Sequence, residues 1–159
     1  MKVTDNSVLG IIYTFILAVI ITVFVGVTLN TFYPAPEPPE TRPIEKPYEE
    51  MTKEDKDIET YNEELYRKHE EERKIWSQNS SIIILVTATV LVAIGLFLAG
   101  KMPIIPNGVL LGGLFTIFMG IILGLASQNR YLIFGVTTAS LVVILAAGYL
   151  KFVKNPIKK

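Results

Sequence analysis

Groups able to do chemistry are scarce in this chain. Its one histidine, His69, stands in the run Lys68-His69-Glu70-Glu71-Glu72. A zinc-protease helix needs a second histidine four residues from the first with a glutamate between them, and here neither neighbouring turn supplies one. His69 therefore reads as a solvated side chain. The carboxylates around it lack the Asp-rich loop and central Gly of an EF-hand, so specific metal binding is not expected. No Gly-rich phosphate loop follows a strand. There is no cysteine, which excludes disulfides, thiol chemistry and thiol-linked lipid anchors while leaving the compartment open. These residues predict no catalytic site, no cofactor, no metal and no small-molecule substrate.

The elements that would have to hold any such group are membrane helices. Runs 8–30, 80–100, 108–126 and 131–150 contain no Asp, Glu, Lys, Arg or His. Each has the roughly 20 residues that a helix rising ~1.5 Å per residue needs to cross ~30 Å of hydrocarbon. The expected class is an all-α integral membrane protein of four spans, with a Pro-rich extended strand and one long acidic helix between the first two. The expected boundaries are an N-terminal tail 1–7, spans at 8–32, 80–100, 108–127 and 131–152, a turn at 101–107 and a basic tail at 153–159. Between the first two spans lie a Pro-rich segment, 33–47, and an acidic amphipathic helix, 48–78. Run 8–30 is too long for a signal-peptide core and no small-residue cleavage site follows it, so it reads as an uncleaved anchor.

Charge is segregated along the chain. The stretch between the first two spans carries 14 acidic and 8 basic side chains, and the remainder carries 1 acidic and 7 basic. A block of Glu repels nucleic-acid phosphate, which argues against a nucleic-acid partner. With four spans both termini share a face with the 101–107 turn. The dense Lys2, Lys101, Lys151, Lys154, Lys158 and Lys159 set favours that face as cytoplasmic, with the long loop extracytoplasmic. Tyr33, Trp76 and Tyr131 would form the outer aromatic belt, and Tyr13, Tyr149 and Phe152 the inner one. The Lys-rich, Arg-poor composition points to the inner membrane of a prokaryote. Asn79-Ser80-Ser81 fits a glycosylation acceptor, but it lies too close to the second span to be used.

Helices in lipid gain little from hydrophobic burial against one another, so small residues mark their contact faces. The first span places Gly10, Thr14, Ala18, Thr22 and Gly26 one every four residues, and the third places Gly108, Gly112, Thr116, Gly120 and Gly124 likewise. Two such rows interdigitate at a right-handed crossing of roughly −40 to −50°. Spans one and three are expected to pair along them, within one chain or between copies. On this reading Gly112→Ile and Gly120→Ile disrupt assembly, and Gly113→Ile, off the row, does less.

Outside the spans, Pro34, Pro36, Pro38, Pro39, Pro43 and Pro47 preclude helix and sheet and favour polyproline II. From Tyr48 the sequence turns helical, with Glu49/Lys53, Glu63/Arg67, Glu64/Lys68 and Glu70/Lys74 at the favourable acid-first spacing of four. Thr52 and Asp55 offer a weaker start signal further on. Segment 77–81 either caps the second span separately or lets the helix run on into it. Fourteen proline-strand residues at ~3.1 Å each reach about 43 Å, and thirty helical residues at ~1.5 Å each reach about 45 Å. The strand could therefore rise and the helix return, with prolines stacked on Met51, Ile58, Tyr61 and Leu65. This resembles in architecture the proline-strand-on-helix hairpin of the pancreatic polypeptide family. The alternatives are a flexible spacer beside a solvated rod, a helix lying on the membrane, or a coiled-coil seam.

Pumps, carriers and channels place ionisable groups near the membrane midplane, and these spans have none. The function expected is that of a non-enzymatic scaffold or binding subunit. The spans contact lipid and assemble, and the outer stalk meets a protein partner or a second copy through Met51, Ile58, Tyr61, Leu65 and Tyr66. The competing class is a transporter or channel subunit with Thr14, Thr22 and Thr116 lining a path.

Overall fold

A computed structural model describes residues 3–43, 51–99 and 104–150; Pro47, the Tyr48 helix start, Glu49 of the Glu49/Lys53 pair, residues 101–103 of the 101–107 turn and the basic tail lie outside them. It contains four helices, α1 (Val3–Phe32), α2 (Lys53–Leu98), α3 (Ile105–Ala126) and α4 (Arg130–Gly148). All four are long and apolar enough to cross a membrane, and among the described residues there is no strand. The chain is all-α and has the make-up of a multi-pass membrane protein. Large apolar side chains such as Ile11, Phe24, Phe97, Phe118 and Phe134 stand exposed around the helices, a surface that hydrocarbon rather than water would cover.

Helix α3 is the axis of the bundle. It packs chiefly against α2 and α1, while α4 lies more lightly on α2 and α3, and α1 scarcely meets α2. Contacts fix the directions. Gly10 faces Ile104, Gly108 faces Leu17 and Gly26 faces Met119, so α1 and α3 run parallel. Gly95 faces Leu110 and Gly120 faces Ile84, so α2 and α3 run antiparallel. Two apolar clusters hold these seams, one around Val25, Leu29 and Ile84, the other around Ala88, Val92 and Ile117.

Of the two alternatives for segment 77–81, α2 takes the second, running on through it instead of dividing into 48–78 and 80–100: it is one rod of 46 residues, about 69 Å long at ~1.5 Å per residue. It begins at Lys53, because Thr52 and Asp55 close a full capping box. Asp55 N–H donates to Thr52 Oγ1 at 3.3 Å and Thr52 N–H to Asp55 Oδ2 at 2.9 Å, satisfying two end donors reciprocally. Met51 thus precedes the helix. The rod does not break at 77–81, where Ser77, Ser80 and Ser81 are buried against the bundle and Ser81 Oγ donates to Gly120 O at 2.7 Å. A hydroxyl that bonds a neighbouring helix has no reason to cap its own.

The α3–α4 turn is tight. Gln128 adopts φ 55°, the left-handed conformation that often ends a helix. Asn129 caps α4, its Oδ1 accepting from Leu132 N–H at 3.2 Å, and its Nδ2 donates to Gln78 Oε1 at 3.4 Å.

Candidate interaction surfaces

The two small-residue rows meet over only part of their length. An i+4 row advances about 40° around a helix at each step, hence about 160° over five residues. On α1, Ala18 is fully buried and its carbonyl lies 3.3 Å from the Cβ position of Gly112. Thr22 Oγ1 reaches Ala18 O at 2.9 Å and Gly112 O at 3.3 Å. Thr14 Oγ1 donates to Gly10 O at 2.8 Å, and Gly10 and Gly26 meet only side-chain ends, of Ile104 and Met119. On α3, Gly108 and Gly112 face α1, Thr116 is fully buried and donates to Gly112 O at 2.8 Å, and Gly120 and Gly124 have turned towards Ser81 and Ile84 of α2.

Gly113 corrects the expectation that it matters less than Gly112 and Gly120. Its Cβ would come within 2.8 Å of Val92 Cγ2, 3.1 Å of Val92 N and 3.3 Å of Ala88 O. Gly113 and Gly120 are seven residues apart and Gly124 is eleven from Gly113, spacings that return to one helix face. A Cβ on Gly95 would be as tight, 2.6 Å from Leu110 Cγ and 3.0 Å from Leu110 N. The signal in the sequence is a heptad-like set facing α2, hidden behind the more regular row of fours. The three threonines proposed for a conducting path all donate to helix carbonyls, Gly10, Ala18 or Gly112.

Residues 34–43 are neither helix nor strand and are tied to the charged N-terminal half of α2. They are clasped at both ends. Near the span, Tyr33 stacks on Trp76 at a centroid distance of 6.5 Å, Trp76 Nε1 donates to Tyr33 O at 3.0 Å and Asn79 Nδ2 to Tyr33 OH at 3.1 Å. Further out, Asn62 grips the backbone of Arg42: its Oδ1 accepts from Arg42 N at 3.2 Å and its Nδ2 donates to Arg42 O at 2.8 Å. Between the clasps Tyr33, Pro36 and Pro39 are half-buried while Pro34, Ala35, Glu37 and Pro38 are exposed. Thr41 is half-buried as well, so the spacing of three holds only from Tyr33 to Pro39. On α2 the half-buried positions Ile58, Asn62, Leu65 and His69 form one row.

The five residues expected to meet a partner are therefore divided. Ile58 and Leu65 share the row that carries Asn62, Met51 sits half-buried ahead of the helix, and Tyr61 and Tyr66 are each 54% exposed to either side. Nothing in the sequence sets Asn62 apart from the other polar residues of the helix, yet it is the outer clasp. Of the acid-first pairs, Glu64–Lys68 closes at 3.1 Å with both side chains well exposed, worth a few tenths of a kcal/mol. Among the described residues no group of His, Asp or Glu is placed to hold a metal ion. Comparison with protein-family models, curated proteins and solved structures returned no match.

Proposed function

We propose that this chain is a non-enzymatic binding or scaffolding subunit of a prokaryotic inner membrane, with both termini cytoplasmic and the Pro-rich hairpin presented outside. The observation that carries this reading is the outer arm. One unbroken helix joins a charged stretch to an apolar one long enough to span, and a proline segment is bound along the charged stretch by side-chain hydrogen bonds at both ends. Such an arm loses little conformational freedom when a partner docks, which favours recognition. Tyr61 and Tyr66 suit that role, since exposed tyrosines supply large contact area at low entropic cost. The seams lined by Gly112, Gly113 and Gly120 give the arm a firm base, and the arm's acidity favours a basic protein partner.

The test is a photo-crosslinking amino acid at Tyr61 or Tyr66 in intact cells. A discrete adduct with one protein, or with a second copy, is expected, and the same probe at Val142 in the membrane should not give it. Absence of any adduct at both tyrosines, together with ion or solute flux in liposomes holding the pure protein, would replace this reading with a transport role.

A further inference from the structure

We propose that segment 34–43 is a hinged strap, which lets go of α2 at Asn62 while holding at Tyr33, and that only the closed strap completes the surface between Tyr61 and Tyr66. The second half of this inference rests on the reading of those tyrosines as the arm's contact residues. The first half does not.

The two clasps are unequal. The inner one is set in the bundle: Tyr33 and Trp76 stack, both pack on the cluster of Val25, Leu29 and Ile84, and the indole N–H bond to Tyr33 O is part-buried. The outer one is a single side chain. Its two hydrogen bonds to Arg42 are solvent-exposed, and among the described residues they are the only hydrogen bonds made by residues 34–43. Water competes for exposed groups, so such bonds add little net stability. Regions held by few buried contacts and exposed bonds open locally, at far lower cost than the whole fold. Release therefore starts at Arg42 and stops at Tyr33. Five of the ten residues 34–43 are proline, which keeps a freed strap stiff, so it swings away instead of crumpling.

Helix geometry places the strap between the two tyrosines. At 100° per residue Tyr61 and Tyr66 lie about 140° apart around α2, and Asn62 and Leu65 both fall inside that arc. Arg42 is gripped at the same height. A protein laid across this side meets Tyr61, the strap and Tyr66 together when the strap is closed, and a trough over Leu65 when it is open. Such a partner binds the closed form better and draws the arm into it.

The chain has no cysteine and one tryptophan, so each end of the strap can be read separately in the full protein. A bulky water-soluble maleimide should label Leu65→Cys, on the covered row, about tenfold more slowly than the exposed Tyr61→Cys, and adding Asn62→Ala should remove most of that difference. His69→Cys, one turn further along the row, gives a second reading should Leu65→Cys disturb it. Asn62→Ala should leave Trp76 emission unchanged, whereas Tyr33→Leu, which removes the stacked ring, should shift it. Equal labelling of the covered and exposed positions, or emission in Asn62→Ala that matches Tyr33→Leu, would overturn the hinge. In cells, Asn62→Ala should cut the photo-adduct at Tyr66 severalfold, and an undiminished adduct would overturn the second half. Absence of the adduct from the otherwise unaltered chain would count instead against the arm as a recognition surface, with labelling and emission still deciding the hinge.

Discussion

Gly113 and Gly135 occupy opposite situations on neighbouring helices. A side chain at Gly113 would press on the backbone of Val92 and Ala88, whereas one at Gly135 would meet nothing within 4 Å. Backbone cannot step aside as a flexible side chain can. Gly113→Ile should therefore destabilise the bundle by about 1–3 kcal/mol or more, and Gly135→Ile should stay within ~0.5 kcal/mol. Thermal melting of the detergent-solubilised protein reads both, and a smaller loss for Gly113→Ile than for Gly112→Ile would contradict the seam geometry. Gln128 gives a prediction of opposite sign. Its left-handed φ is strained for a residue with a Cβ, so Gln128→Gly should raise stability by about 0.5–1 kcal/mol in the same assay. At this scale the sequence is only partly legible. Small residues in spans announce close approach, but which neighbour each one meets depends on how a row winds round its helix. Gly120 shares a row with Gly112 and yet faces another partner.

The four spans are legible in the sequence because charge in hydrocarbon is costly, and uncharged runs of that length rarely occur outside membranes. Helix ends are less legible. The composition turns helical at Tyr48, yet the helix proper opens at Lys53, where reciprocal side-chain bonds close on its end donors. Ser77, Ser80 and Ser81 resemble a cap in isolation and become interior contacts only once α3 lies alongside. The placement of the proline segment rests on Asn62, whose two hydrogen bonds to Arg42 contribute about 1 kcal/mol each. Asn62→Ala should then increase the released fraction of segment 34–43 severalfold or more, visible as faster proteolytic nicking there. Glu63→Ala, one residue away on another face, serves as the control, and equal nicking in the two variants would show that the clasp does not hold the segment.

For the whole molecule, the absence of cysteine makes topology simple to test. Glu70→Cys should react with a membrane-impermeant maleimide in intact cells, and Asn155→Cys should react only after the membrane is opened. The reverse pattern would invert the proposed orientation while leaving the fold unchanged. The parallel α1–α3 pair and antiparallel α2–α3 pair follow from successive crossings of one membrane and are legible in the count of spans. The central position of α3 is not, because the regular row on α1 advertises one seam when α3 has two.

The undivided α2 has a further consequence. From Trp76, beside the bundle, to Lys53 at its tip the rod rises 23 residues without a joint, about 35 Å at ~1.5 Å per residue. With no hinge to bend, it would act as a ruler under the proposed function, setting the height above the lipid at which a partner is met. Inserting seven residues above the outer clasp would lift the tip by about 10 Å while turning it by only about 20°, changing the stand-off and little else.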